Sequence, residues 1–391
     1  MSKWEKVKLG DVTKVSGGYA FKSDQFMKNG IPIIRIGNLT SNTVYLDYEI
    51  CYPQEFWSRN STYHVKFGDI LIAMSGATIG KIGRYEYTDP ALLNQRVGLI
   101  RINIDELCSN YIYYFVKSYF FLTQIQHLSS GCAQPNISSK QIESIFIPLP
   151  PLETQKQIAK TLDNVSELLA MRKQQLVELD NLIKSTFYEL FGDPVANEKG
   201  WETGIIKDLA VKIQYGTSEK ASTEKLQYPI LRMNNITYEG NMDFSDLKYI
   251  ELNEKDLEKH LVNKGEMLFN RTNSKELVGK TAVYREEQPM AYAGYLVRLV
   301  PNQRANSEFI SAYLNSTYGK KLLFKMAKNI VGMANINAKE LSNIKIYIPP
   351  LHLQNQFAEI VTKIEEQKAI VKKSIDETQY LFDSLMSEYF E

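Results

Sequence analysis

Long apolar runs are missing from this 391-residue chain. No stretch approaches the roughly 18 consecutive apolar residues that a membrane span needs. The start, MSKWEKVKLGD, lacks the apolar core of a secretory signal. Cysteine is scarce: Cys51, Cys108 and Cys132 are too few and too scattered for a disulfide framework, so a reducing cytoplasm is expected. The histidines His64, His127, His260 and His352 are dispersed without metal-ligand spacing, and no metal site is expected. Nucleotide fingerprints are absent too. In SGATIGKI (75–82) the glycines are one residue too close for a phosphate loop, and Ile82 stands where a magnesium-holding hydroxyl belongs. A strand-turn-strand is the better reading there. Gly17-Gly18 is not a dinucleotide motif, and no nucleophile-base-acid set stands out.

What is present is a long gap without Gly or Pro. Between Pro150-Pro151 and Gly192, residues 152–190 are rich in Leu, Lys, Glu and Gln. This predicts one helix of about 58 Å, with proline before it and glycine after. One heptad series is Leu162, Leu169, Leu176, Ile183, Leu190, and its companion is Ile158, Val165, Arg172, Leu179, Thr186. The a/d pattern has two polar breaks and asks for a partner helix.

An internal repeat supplies that partner. WEKVKLGDV near the start returns as WETGIIKDL, and GIPIIRIGNL meets QYPILRMNNI at an offset of 197. After a two-residue slip between Leu71 and Gly80, residues 136–159 align without gaps on 335–358 with 11 identities in 24 positions. The second helix runs from about Leu351, with series Val361, Lys368, Ile375, Phe382, Tyr389 and Phe357, Ile364, Val371, Thr378, Leu385. The helix-pairing set is thus Ile158, Leu162, Val165, Leu169, Leu176, Leu179 and Ile183, facing Phe357, Val361, Ile364, Val371, Ile375 and Phe382. Four segments follow: a module at 1–148, a helix at 149–192, a module at 193–348 and a helix at 349–391. The modules carry net +3 each, the helices −1 and −4. Basic modules on an acidic frame fit polyanion binding.

Within each module, short β-branched runs (IPIIRI, DILIAM, VGLIRI, SIFIPL) read as strands, and 107–128 and 307–328 as amphipathic helices. The expected class is α+β: two strand-rich α/β modules and a pair of long antiparallel coiled-coil helices, related by a pseudo-two-fold repeat.

The candidate contact residues lie at strand ends and loops. Arg35 and Asn38 recur as Arg232 and Asn235. Arginine and asparagine are shaped to read guanine and adenine edges; alternatively the arginine pairs a carboxylate and the asparagine makes a turn. Lys81 and Lys280 follow a glycine and are candidates for phosphate, or else are solvated turn lysines. Around the slip, Ser75 stands in the first copy and Arg271 and Asn273 in the second. Gln95 and Arg96 complete the set; Asn94-Gln95-Arg96 becomes Ala293-Gly294-Tyr295. A shared frame with divergent loops predicts two different targets.

The GDILI…GK segment (68–81), the NISSKQIESIFIPLPPLETQKQIA junction, the LFGDPVANEKGWE boundary (190–202) and their second copies resemble the specificity subunit of type I restriction-modification systems, over essentially the whole chain. The resemblance implies two target-recognition domains, each reading half of a bipartite site on double-stranded DNA, with the helices setting the spacer. It implies docking of two modification (methyltransferase) subunits and association with restriction (translocase/nuclease) subunits. S-adenosylmethionine, ATP and Mg then belong to those partners, and this chain is non-catalytic with no cofactor of its own. Gly265-Glu266, where the first copy has Gly68-Asp69, departs from the shared pattern. Rival readings are a coiled-coil scaffold with protein-binding globular ends and a nucleic-acid hydrolase with an unrecognised site.

Overall fold

Each proline pair is followed at once by a helix: Leu152–Phe191 after Pro151 and Leu351–Phe390 after Pro350. The computed structural model describes residues 4–40, 43–130, 135–330 and 333–391, and Cys132 lies outside them. The chain divides into two compact units. One comprises Met1–Arg172 with Ser374–Glu391, and the other Lys173–Lys373. Each unit therefore holds part of both long helices.

In the first unit a four-stranded antiparallel sheet has the order Thr13–Gly17, Val97–Ile102, Ile70–Ala73, Ile82–Arg84. A second sheet orders Cys51–Tyr52, Ile31–Ile34, Ala91–Leu93, His64–Val65, with Ile31–Ile34 parallel to Ala91–Leu93. The second unit repeats both. Its sheets order Ala210–Tyr215, Leu296–Pro301, Met267–Asn270, Thr281–Val283, and then Lys248–Ile250, Tyr228–Leu231, Met290–Tyr292, Leu261–Val262. SGATIGKI is a strand-turn-strand, with a 3-10 turn at Gly76–Thr78 between paired strands. The single helices expected at 107–128 and 307–328 are each broken in two. Ser118 and Ser316 take extended backbone angles, and each hydroxyl caps the following helix, accepting from Phe121 and Gly319. Such a capping hydroxyl satisfies an N–H that the helix start would otherwise leave bare.

Gln155 and Gln354, identical in the repeat, tie each long helix to its module. Gln155 is buried; it donates to Pro150 O at 2.8 Å and Glu106 O at 3.2 Å and accepts from Cys108 N at 2.9 Å. Gln354 donates to Pro349 O at 2.8 Å and Arg304 O at 3.1 Å and accepts from Asn306 N at 2.9 Å. The Gly68-Asp69 to Gly265-Glu266 change keeps its function as well. Asp69 accepts from Lys66 N–H and binds Arg101 at 2.8 and 2.5 Å. Glu266 accepts from Asn263 N–H and faces Arg298 at 3.5 Å.

The helix seam is antiparallel within each unit. In the first, Ile158 and Leu162 share a core with Met386 and Phe390, and Arg172 bonds Ser374 O and Thr378 Oγ1. In the second, Phe187 and Phe191 pack on Phe357, while Asp180 meets Lys368. Partner numbers fall along one helix as they rise along the other. Ile158, Leu162, Leu169, Leu179, Phe357, Val361, Ile364 and Val371 are buried; Val165, Leu176, Ile183, Ile375 and Phe382 are half-buried.

Toward its end each seam departs from the heptad reading. Phe187 is buried where Thr186 was expected, and Phe191 where Leu190 was. Met386 and Phe390 likewise displace Leu385 and Tyr389. A straight helix drifts about 20° per heptad, so the buried stripe moves one residue on as it enters the module core. Each fully buried phenylalanine there stabilises by about 2–3 kcal/mol.

Candidate nucleic-acid interface

Three loops meet at one end of the strands in each module. In the first they follow Ile34, Ala73 and Leu93. Asn94 N–H donates to Ile34 O at 3.1 Å, Gln95 N–H to Tyr19 O at 2.9 Å, and Met74 N–H to Arg96 O at 2.9 Å. The second module repeats these bonds. Ala293 N–H reaches Leu231 O at 2.9 Å, Gly294 N–H reaches Thr217 O at 2.7 Å, and Arg271 N–H reaches Tyr295 O at 3.0 Å. The backbone thus matches Tyr19 with Thr217, Met74 with Arg271, and Asn94-Gln95-Arg96 with Ala293-Gly294-Tyr295.

The two-residue slip can now be placed. Ser75 bridges Asn136 and Thr272 pairs with Asn335, so the copies are in step through that point. They are in step again at Gly80 and Gly279, both at positive φ. The extra residues of the second copy lie in the loop between. Beside these loops, main chain crosses main chain closely. A Cβ on Gly18 would sit 2.2 Å from Leu93 O, and one on Gly216 2.2 Å from Tyr292 O. Only glycine allows that approach.

In the second module these loops line a cleft of about 510 Å³ that includes Thr217, Arg232, Met233, Arg271, Gly294 and Tyr295. The Arg271 guanidinium lies 4.8 Å over the Tyr215 ring and donates to Gly294 O at 3.3 Å. Tyr215 is itself fixed, its hydroxyl accepting from Ala338 N–H at 2.9 Å. Arg232 binds Asp246 at 2.7 Å, and Arg35 lies 3.7 Å from Asp47. Among the described residues, Arg35 Nε, Ser75 Oγ, Thr78 Oγ1, Arg232 Nε and Arg271 Nε are buried without a partner. Arg84, Gln214, His260 and Arg298 carry such atoms as well; groups of this kind are uncommon in folded proteins, and here half of them lie on the candidate loops.

The candidates separate into two groups. Arg35, Ser75, Gln95 and Arg96 gather on the first module's loops, and Arg232 and Arg271 on the second's; Lys81, Gln95 and Arg96 are exposed. Asn38 and Asn235 do not present amide edges, which corrects that expectation. Both are 1% exposed. Each accepts from the arginine three residues before it, Arg35 N–H at 3.0 Å and Arg232 N–H at 2.8 Å. Their amides donate to Tyr45 O and to Asp243 O. These are turn-making residues. Lys280 also differs from Lys81: its ammonium is spent on Met233 O at 2.9 Å and on Ile236 O, and burial pushes its pKa down. Asn273 is half-buried, its side-chain oxygen accepting from Ser274 N–H at 2.8 Å.

The sequence reading missed Thr217 and Tyr295 as cleft residues and Tyr215 as the ring under Arg271. Alignment of Tyr295 with Arg96 was the available signal. Among the described residues no group of three His, Cys, Asp or Glu is arranged to hold a metal ion, and no helix is long and apolar enough to cross a membrane.

A family model described as the type I restriction modification DNA specificity domain matches residues 1–181 and again 198–379. The type I restriction enzyme EcoKI specificity subunit of Escherichia coli (strain K12) is 25% identical over 385 residues, covering 93% of this chain and 82% of that protein. The EcoBI specificity subunit of Escherichia coli is 24% identical over 395 residues, covering 93% and 79%. In fold, the type I restriction-modification S subunit from M. genitalium matches with a TM-score of 0.57 at 15% identity, covering 100% of this chain and 96% of that one. A chain from a study of complex assembly and conformational transition of the type I R-M system matches at 0.59 and 17% identity, covering 99% and 97%.

Proposed function

The chain belongs to the type I restriction modification DNA specificity family, and on that premise we propose that each module reads one half of a bipartite DNA site through its three-loop cleft. One observation carries this reading. The same backbone bonds join these loops in both modules, yet the side chains they present differ: Gln95 and Arg96 are exposed in the first, and Gly294, the exposed Tyr295 and the half-buried Arg271 stand in the second, Arg271 at the place of the buried Met74. A duplicated frame with unlike rims suits two unlike base sequences.

Arginine on such a rim can pair with guanine through two hydrogen bonds, and exposed lysine can hold phosphate without reading sequence. We assign Arg96, Gln95 and Lys81 to the first half-site and Arg271, Arg232 and Tyr295 to the second. The long helices then set the spacing between halves and dock two modification subunits, with restriction subunits joining the assembly. Methyl transfer from S-adenosylmethionine and ATP- and Mg-dependent steps are assigned to those partners in the cytoplasm, and no chemical step to this chain.

Co-expression with its modification partner, followed by mapping of methylated adenines, tests the reading. The expected result is two fixed half-sites separated by a constant gap. A single contiguous motif would overturn the two-cleft assignment.

A further inference from the structure

The second module has a groove beside its cleft. It has a volume of about 400 Å³, and its walls include Lys275, Lys280, Lys320, Lys321 and Lys325, with Tyr238 and Phe324 between them and Glu276 as a carboxylate. None of the five lysines forms an ion pair within 4.0 Å among the described residues. Lys275 lies 4.7 Å over the Phe324 ring and Lys320 3.4 Å over Tyr238. Two of the ammoniums are tied to backbone: Lys320 donates to Tyr238 O at 2.6 Å and Lys280 to Met233 O at 2.9 Å. Lys321 and Lys325 are exposed. Five lysines gathered without such a pair, Lys275, Lys280 and Lys320 half-buried and Lys321 and Lys325 exposed, make a positive field that favours an anion at the groove.

Position says which anion. Met233 lines the cleft described above, and its carbonyl holds Lys280 of the groove. One turn of chain therefore separates the base-facing cleft from the lysine groove. In the first module, counting from the capping Ser118 and Ser316, Leu122, Thr123 and His127 stand where Lys320, Lys321 and Lys325 stand in the second. Lys275 lies in the loop that is two residues longer in the second copy.

We propose that this groove grips the sugar-phosphate backbone of duplex DNA beside the second half-site, so that the second module carries the larger share of salt-dependent binding. The proposal rests on the DNA reading above. Phosphate neutralisation releases counterions, and each lost lysine contact lowers the salt slope by about one. Lys280 and Lys320 support the fold through backbone carbonyls and are left intact in the test.

The experiment measures affinity of the full chain, assembled with its modification partner, for a duplex carrying the mapped site across salt concentrations. The triple variant Lys275→Gln, Lys321→Gln, Lys325→Gln is compared with the parent after a thermal melt confirms that both fold. The expected result is a slope smaller by about three with site preference retained. In parallel, acetylation of the parent assembly followed by mass spectrometry should show Lys321 and Lys325 protected by DNA, a readout independent of any variant. An unchanged slope and unprotected lysines, with site-specific binding intact, overturn the groove alone. Protection by the modification partner without DNA overturns it in favour of a protein face. A parent assembly that does not distinguish the mapped duplex from a scrambled one overturns the DNA reading beneath it.

Discussion

The Lys368 ammonium, 3% exposed, donates to Asp180 Oδ1 on the facing helix at 2.7 Å. Glu365 at 2.8 Å and Asn241 Oδ1 at 3.0 Å complete its shell. Arg172 bonds Ser374 O and Thr378 Oγ1 in the other unit. Neither polar contact is duplicated. The repeat places Leu169 at the position of Lys368 and Val371 at that of Arg172. Polar pairs at unlike levels specify register and partner in a helix pair. Replacing Asp180 with leucine should cost about 2 kcal/mol, since it leaves a buried ammonium short of a counter-charge. Adding Lys368→Met should recover the loss, because apolar replacement of both members is commonly neutral. Chemical denaturation of the single and double variants checks this, and a double variant weaker than the single would refute it.

Gln155 offers a second test. Its amide satisfies Pro150 O, Glu106 O and Cys108 N–H in a buried position. Gln155→Leu leaves these backbone groups bare, and a loss of about 3 kcal/mol is expected. Hydrogen exchange should report it first at the start of the Ser109–Lys117 helix, whose N-cap is Cys108.

The rim residues can be exchanged between copies. Gly294→Gln with Tyr295→Arg gives the second module the first module's exposed pair, Gln95 and Arg96, and Arg271→Met removes the cleft arginine. Methylation mapping should show the second half-site changed and the first unchanged. Losing a base-pairing arginine costs about 1–3 kcal/mol of discrimination. A change in the first half-site would break the assignment of one cleft to one half.

The proposed groove predicts that Lys320 makes binding depend on pH. Burial pushes its pKa from 10.5 down to about 8; Glu239 opposes the shift and Lys184 adds to it. The groove also brings Lys275, Glu276, Lys280, Lys321 and Lys325 near it. Between about 8 and 10.5 the unfolded chain holds this proton more firmly, so stability from this group rises with pH across that window. Binding has the opposite sign. Phosphate favours the charged form, so affinity for duplex should fall by up to about tenfold from pH 7 to 9. Because Lys320 also holds Tyr238 O, Lys320→Gln is first checked by a thermal melt and should then flatten that profile in a fluorescence titration; an equal fall in both folded proteins would exclude Lys320 as the source.

The long helices, the repeat and the strand runs were legible because they rest on periodicity and on glycine and proline placement. The seam ends were not, since a strict heptad cannot register the drift that buries Phe187 in place of Thr186. Asn38 and Lys280 misled for a related reason. Residue type announces hydrogen-bonding capacity, but whether that capacity faces solvent depends on bonds such as Asn38 to Tyr45 O, formed only in the fold. The lysine groove was hidden because its members come from separated segments, 275–280 and 320–325. Its visible trace was the run YGKKLLFKMAK, read only as an amphipathic helix.

Because main chain passes main chain at Gly18 and Gly216, the crossing that sets the loops in place involves no side chain that a change of target must alter. The residues that hold the shape and those proposed to choose the ligand are separate sets. Under that reading, preference can drift one rim residue at a time through intermediates that all still fold, and one module can acquire a new target while the other keeps its own.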